Sequence, residues 1–223
     1  MKKHHLHYTL IEVLVAIAVL ALMMSFLFQF TSGAQRIWSA TNTNTNLTTD
    51  ADAIFALMDE DITQMIVDGS DEVQMPYTGS VSGSTADADF DFYAISSRKG
   101  GVNVDGGTSA NKVGSLIYVR YHYDSGDKRL YRLQMSAEDG LIYSAADNTA
   151  PQPDTTKFDS YLTSDEKDNT LIAEDVASFS VTATPNDVNA RPQILLVQVK
   201  LNPDETGTKN EQTFSKAYFP GMR

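Results

Sequence analysis

The sequence predicts an α+β fold in which a long N-terminal helix packs on an antiparallel β-sheet. Three observations indicate this fold: a membrane-length apolar stretch over residues 8–30, a helical apolar stripe after residue 46, and alternating bulky and polar residues from Phe90 onward. Helical segments come first and hairpin-linked strands follow, an order that is typical of α+β proteins.

The apolar stretch 8–30 is long enough to cross a membrane. As a helix its 23 residues would extend about 34 Å, against a hydrocarbon core of about 30 Å. A signal peptide would have a shorter apolar core before its cleavage site, whereas this run continues to Phe30, so cleavage after the helix is not expected. Lys2 and Lys3 precede the stretch and only Arg36 follows closely. The positive-inside bias therefore predicts a cytoplasmic N-terminus and an extracytoplasmic remainder.

Glu12 carries the one charge within this stretch. An ionised side chain in hydrocarbon costs on the order of 2.5 to 3.5 kcal/mol on insertion scales. We therefore expect Glu12 either to lie at the membrane interface or to meet a counter-ion. An interfacial acid without a further role is the simpler of these alternatives.

The predicted divisions are a basic leader (1–7), a transmembrane helix (8–30), an amphipathic helical continuation (31–68) and a β-rich extracytoplasmic part (69–223). The chain has no Cys, so packing alone must stabilise the extracytoplasmic part. After residue 7 there are 15 basic and 29 acidic residues, a net charge of -14. Such a surface disfavours nucleic acid and anionic lipid as partners.

The helical continuation contains two weak places. Ser32 and Gly33 lower helix propensity, and alternating Asn and Thr over residues 41–46 compete with helical hydrogen bonds, so a bend or partial melting is expected there. Beyond them, apolar residues recur at a spacing of three and four. They are Ile54, Leu57, Met58, Ile62, Met65 and Ile66.

Period-two alternation predicts six strands in the rest of the chain. They cover residues 90–95, 115–123, 129–135, 176–182, 193–201 and 213–219. Residues 124–127 have the composition of a hairpin turn. We expect the Gly-, Ser-, Thr- and Asp-rich segments 79–88, 99–112 and 147–168 to be mobile loops.

Residues 8–17, with the sequence YTLIEVLVAI, resemble the class III signal of type IV pilins and of the pseudopilins of type II secretion. In that signal a short basic leader precedes an aromatic residue, Thr-Leu-Ile-Glu and a long apolar helix. The later pattern, from residues 36–38 through residues 57–62 to Arg132 and Phe179, is similar to minor pseudopilin J and PilW-type minor pilins. The resemblance implies a pilin fold and a structural subunit, not an enzyme, that initiates or caps a type II secretion pseudopilus or a type IV pilus.

The resemblance also implies how the chain is processed. Prepilin peptidase would cleave between His7 and Tyr8, the new Tyr8 amine would be methylated, and Glu12 would pair with such an amine during assembly. The implied partners are other minor and major pilins or pseudopilins, in the bacterial inner membrane with a periplasmic globular part. This sequence has His7 where the family nearly always has Gly, so the resemblance does not decide whether the bond between His7 and Tyr8 is cleaved. Without cleavage, Glu12 could still meet the amine of another subunit.

Catalytic residue types are scarce. His122 is the single His outside the leader and there is no Cys, which nearly excludes Ser-His or Cys-His nucleophilic catalysis and leaves no Zn site of the usual ligand spacing. An acid pair of the glycosidase type cannot be dismissed by counting carboxylates, but no pair stands out. The sequence therefore predicts no enzymatic activity.

Two acidic segments invite comparison with Ca²⁺ loops. Residues 87–91 have the D-x-D-x-D pattern, but Phe92 and Arg98 replace the expected Gly and acid, which favours a strand with its acids toward water. Asp165, Glu166 and Asp168 are weak candidates for loose Ca²⁺ binding, with a solvated acidic loop as the alternative. No other cofactor is predicted.

Aromatic residues leave one further alternative open. Trp38 and four tyrosines could form a carbohydrate-stacking surface, although aromatics at period two usually pack across strands. The tyrosines are Tyr118, Tyr121, Tyr123 and Tyr131. The alternative function is therefore a membrane-tethered binding module for a glycan or an exoprotein that does not polymerise.

Overall fold

The computed structural model describes residues 9–66, 81–84, 86–96, 113–136, 156–185, 194–202 and 211–220. They form the helices α1 (Leu10–Thr63) and α2 (Thr156–Leu162), a 3-10 turn (Lys167–Thr170), and eight strands. The strands are β1 (Val81–Ser84), β2 (Ala88–Ile95), β3 (Leu116–Asp124), β4 (Arg129–Ser136), β5 (Leu171–Ala173), β6 (Val176–Thr184), β7 (Ile194–Leu201) and β8 (Gln212–Tyr218). The predicted α+β class, with a long N-terminal helix and antiparallel strands, is confirmed.

Helix α1 keeps helical structure through both weak places, including residues 41–46, where a bend or partial melting was expected. The competing hydroxyls bond to the backbone of the preceding turn instead of opening it. Thr31 Oγ1 donates to the carbonyl of Leu27 at 3.0 Å, and Thr45 Oγ1 donates to the carbonyl of Thr41 at 2.9 Å. These hydroxyl groups therefore do not interrupt the helix, and the expectation of partial melting is wrong.

The chain forms two units, residues 1–46 and residues 47–223. In the second unit, the predicted apolar stripe of α1 is buried at Ile54, Met58 and Ile62. Leu47 and Ala51 extend the stripe by two turns toward the N-terminus. Burial at this spacing puts one face of the segment 47–63 into the core and leaves the opposite face for acids such as Asp52.

The described strands form two four-stranded antiparallel sheets, not the single sheet that was expected. One has the order β1-β6-β7-β8 and the other has the order β2-β3-β4-β5. All six predicted strands are present, within two residues at each end. The elements β1, α2 and β5 were not predicted, since they are short and lie in or beside segments whose composition is typical of loops.

The sheet β2-β3-β4-β5 is buried on both faces. Phe90, Phe92 and Tyr121 face the main core, which also contains the buried stripe of α1 and the inner residues of β6 and β7. Tyr93 and Tyr118 face the other way, into a smaller aromatic core. Helix α2 closes this second core with two further aromatic residues, Phe158 and Tyr161. The period-two pattern that predicts the strands thus separates two cores.

Asp61 places a buried carboxylate within the otherwise apolar face of α1, and only 4% of the residue is exposed. Arg132 on β4 donates to it twice, from Nε to Oδ2 at 2.6 Å and from Nη2 to Oδ1 at 2.9 Å. Tyr121 on β3 donates its hydroxyl to Oδ2 at 2.5 Å. Burial disfavours the charged guanidinium, but the hydrogen bonds and charge of Asp61 outweigh that effect and raise the pKa of Arg132 above its usual value.

Removing the Asp61 charge tests this contact. Asp61→Asn should lower the free energy of unfolding by about 3 kcal/mol, because it leaves Arg132 buried without its anion. Asp59→Asn is the matched control on the same helix: Asp59 pairs with Lys216 at 3.2 Å, both side chains are exposed, and its loss should cost less than about 1 kcal/mol. Denaturant unfolding of the full chain in detergent micelles measures both. Equal losses in the two variants would show that the Asp61 contact is not a special source of stability.

The buried tyrosines predict loss of stability in alkali. Burial first, and then the Asp61 charge, raise the pKa of Tyr121 well above its ordinary value of 10.0. A raised folded-state pKa stabilises the fold fully below about pH 10, and this stabilisation is lost as the pH rises further toward the folded-state pKa. The unfolding free energy should therefore fall with pH above about 10, and fall less steeply in Tyr121→Phe. An identical slope in both proteins would contradict a role for Tyr121.

Candidate functional site

Glu12 lies in the first turn of α1, where the structure shows a reciprocal pair of contacts with Thr9. The Thr9 backbone N–H donates to Glu12 Oε2 at 2.9 Å, and the Thr9 hydroxyl donates to the same oxygen at 3.1 Å. In return, the Glu12 N–H lies 3.3 Å from Thr9 Oγ1 and 3.0 Å from the Thr9 carbonyl. This is a capping box, with Thr9 at the N-cap and Glu12 three residues later.

The capping box has a sequence signature that was not used in the prediction. Thr9-Leu10-Ile11-Glu12 is a T-x-x-E run directly before an apolar segment, which is the pattern of a helix N-terminus. Part of the reason for an acid at this position is therefore local, because it satisfies a backbone N–H that the helix itself leaves unpaired. This local role is a third possibility beside an interfacial acid and an assembly contact.

The capped carboxylate keeps capacity for a further donor. Thr9 uses one oxygen, Oε2, whereas an ionised carboxylate offers about four lone-pair positions on two oxygens. Thr9 is also uncharged, so it does not neutralise Glu12. The carboxylate can therefore hold the helix terminus and accept an ammonium group at the same time.

His7 and Tyr8, the predicted processing residues, lie outside the described residues. Cleavage of their peptide bond stays a prediction, as does pairing of a Tyr8 amine with Glu12.

An apolar strip follows Glu12 along the helix. Val13, Ala16, Ile17 and Leu20 share one helix face with the carboxylate. Large apolar side chains are exposed on all sides from Leu10 to Phe30 in this structure. The helix is long and apolar enough to cross a membrane. Its surface can be covered either by lipid or by neighbouring helices.

Of the three weak metal candidates, Asp168 takes part in a surface ion pair. Asp165 and Glu166 lie in the turn that follows α2, and Asp168 lies in the 3-10 turn, where Oδ1 is 3.5 Å from Arg129. Arg129 also donates to Glu174 at 2.9 Å. Within the residues that the structure describes, no group of three or more acidic, His or Cys side chains could hold a metal ion. This geometry gives the Ca²⁺ alternative no support.

The D-x-D-x-D segment is the predicted strand, but its acids do not all face water. Asp91 is 4% exposed and receives two bonds from Arg120, at 2.9 and 2.8 Å. Asp89 Oδ1 lies 2.6 Å from His122 Nδ1 on the neighbouring strand. Asp87 accepts the backbone N–H and the hydroxyl of Ser125 at 2.8 and 2.7 Å, and these hydrogen bonds lower its pKa. Each acid therefore ties β2 to β3 or to the turn that follows it.

Arg120 could not be assigned from the sequence, where it is one basic residue in an alternating strand. In the structure it joins Asp91 to Asp159 of α2, with a second bond of 3.1 Å, and its guanidinium lies 4.9 Å from the ring centre of Phe158. Burial lowers the pKa of Arg120, and the contacts with Asp91 more than reverse that effect. Arg120 thus fastens α2 over the second aromatic core.

The carbohydrate-stacking surface is not present. Its four tyrosines are at most 5% exposed, and they pack within the two cores. Their burial follows from strand alternation in a sheet that is covered on both faces. Only Trp38 of the proposed set is exposed. The glycan-binding alternative therefore loses the residues that suggested it.

Comparison of the chain with protein-family models, with curated proteins and with solved structures finds no match. The structure itself shows an α+β fold and, among the described residues, one long helix near the N-terminus that could span a membrane. Any narrower function follows from the residues of the chain itself.

Proposed function

We propose that this chain is a minor pilin or pseudopilin, a structural subunit that initiates or caps a type IV pilus or a type II secretion pseudopilus. The observation that carries the proposal is Glu12, a capped carboxylate with no cation beside it among the described residues, at the start of an exposed, membrane-length apolar helix. The resemblance of residues 8–17 to the pilin signal supports it, and the α+β fold agrees with it. In this proposal the chain resides in the bacterial inner membrane with its globular part in the periplasm.

The exposed helix supplies the contact surface for assembly. Apolar helix surfaces associate through van der Waals packing, which has no charge and no hydrogen bond to fix one pairing. Packing of this kind gives cohesion but defines the stagger between subunits poorly. A second, directional interaction is needed to select one register.

Glu12 supplies that directional interaction. A carboxylate buried among apolar helices without a partner is strongly disfavoured, and an ammonium group within a few Å offsets that cost. The partner proposed from the family resemblance is the N-terminal amine of an adjacent subunit. The ion pair between Glu12 and this amine forms at only one axial offset between the two helices, so it fixes their relative position. The capping box holds the Glu12 side chain at the helix end before the amine arrives.

Two substitutions at Glu12 separate the charge from the cap. Glu12→Gln keeps an oxygen that can accept the Thr9 N–H, since Gln also forms capping boxes, but it removes the charge. Glu12→Ala removes both. We expect both variants to reduce the amount of chain recovered in sheared filaments by about tenfold or more, because the amine of the neighbouring subunit stays unpaired. Immunoblotting of filament and membrane fractions measures this.

Asp50→Asn is the matched control, because it removes an exposed acid from the same helix and should leave incorporation unchanged. If Glu12→Gln assembles as well as the unmodified chain while Glu12→Ala does not, the cap and not the charge matters, and the proposed ion pair is wrong. If both assemble normally, Glu12 has no part in assembly.

Processing is a separate prediction. Mass spectrometry of the chain purified from its own membrane should show a methylated N-terminus at Tyr8, and His7→Gly should increase the processed fraction, because the peptidase favours a small residue before the cleaved bond. A chain that retains residues 1–7 in both proteins would show that it is not a substrate of the peptidase and would remove the source of the proposed Tyr8 amine.

A further inference from the structure

A second exposed apolar feature of α1 lies beyond the predicted membrane stretch. Trp38 is 78% exposed and Ile37 is 71% exposed, next to the exposed cation Arg36. They follow an uncharged run that extends from Val13 to Gln35. Large apolar side chains at this exposure need a cover, and the family resemblance assigns them none.

The helix rise places these residues at a defined distance from Glu12. Trp38 lies 26 residues after Glu12, or about 39 Å along a continuous helix at about 1.5 Å per residue. A bilayer with its headgroup regions is about 40–45 Å thick. When Glu12 lies at one interface, Trp38 therefore falls in the opposite headgroup region, and the uncharged run covers the hydrocarbon between them.

The chemistry of the segment matches that region. Trp has an apolar ring system and one N–H donor, and it is enriched where acyl chains meet headgroups. A long basic side chain such as Arg36 can cover apolar surface while its charged end reaches phosphate groups. The second unit, residues 47–223, is acidic and is called the globular unit below. Its charge makes a general attraction to anionic lipid unfavourable, so a contact between residues 36–38 and the headgroups depends on the depth of Trp38 and not on net charge.

We propose that residues 36–38 form an interfacial anchor that seats Trp38 among the lipid headgroups of the leaflet opposite to Glu12. The anchor sets how far α1 enters the bilayer. It rests on the membrane insertion contained in the proposed function, but not on cleavage or on filament assembly. The occupant is the bilayer itself; a helix of another protein on this face is the competing possibility.

The chain contains one Trp, so its intrinsic fluorescence reports on Trp38 alone. The full chain is reconstituted into phosphatidylcholine vesicles in which part of the lipid carries bromine either near the carbonyl end or near the methyl end of its acyl chains. Fluorescence loss from Trp38 should be larger with the shallow bromines than with the deep ones. The double variant Trp38→Phe, Phe28→Trp moves the reporter ten positions, about 15 Å along the helix, and should reverse this order.

The outcomes separate the two proposals. Shallow quenching of Trp38 with deep quenching of the Phe28→Trp reporter supports the anchor. If the Phe28→Trp reporter is quenched but Trp38 is not, or if Trp38 is quenched most by the deep bromines, the helix is inserted and the anchor alone is wrong. If neither reporter is quenched, the helix is not in the bilayer, which overturns the anchor and the membrane insertion of the proposed function together.

Discussion

The carboxylate of Asp61 is the contact around which the globular unit is organised. It is the charged group on the core-facing side of α1, and it joins the helix to two strands through Arg132 and Tyr121. An apolar stripe could pack on a sheet at several rotations with similar burial, whereas a two-bond guanidinium contact satisfies one geometry. The position of the helix on the sheet therefore depends on a polar group, while the energy of burial comes from the apolar residues around it.

Two of the acids on helix α1, Asp61 and Glu12, differ in burial and in the charge of their partners. Asp61 is buried and paired with a cation of its own chain, so its charge is fully used within one molecule. Glu12 is exposed and bonded to the uncharged Thr9, so its charge is not neutralised there. Near the C-terminal end of the helix, Asp61 fixes how the helix packs within its own chain. Near the N-terminal end, Glu12 is open to a contact with a second molecule. Burial and the nature of the partner make this difference, and neither can be read from residue type.

Much of the architecture was predictable because it depends on periodicity. Spacing of three and four identified the buried stripe at Ile54, Met58 and Ile62, and alternation identified six strands. The division into two sheets was not predictable, since strand order depends on contacts between distant segments such as β1 and β6. The second core was missed for the same reason: Phe158 and Tyr161 reach the sheet from a seven-residue helix in a segment with the composition of a loop.

At the candidate site the sequence led directly to Glu12, because a lone acid in a membrane-length apolar run is conspicuous. Its contact with Thr9 was also available from the T-x-x-E spacing and was overlooked. Pairings such as Asp91 with Arg120 were out of reach, since they join residues 29 positions apart and depend on strand register. For this reason the acids of β2 were assigned to water, although Asp91 is buried.

The back-bonded hydroxyls of α1 change what the helix presents to its surroundings. Thr31 and Thr45 each donate the hydroxyl to a carbonyl of the preceding turn, so that donor needs no water. Ser39 likewise donates to the carbonyl of Arg36. A segment that reads as hydrophilic from its composition is consequently less dependent on solvent than its residue types suggest. The length of α1 that tolerates a dry environment can therefore exceed the length that hydropathy alone assigns to it.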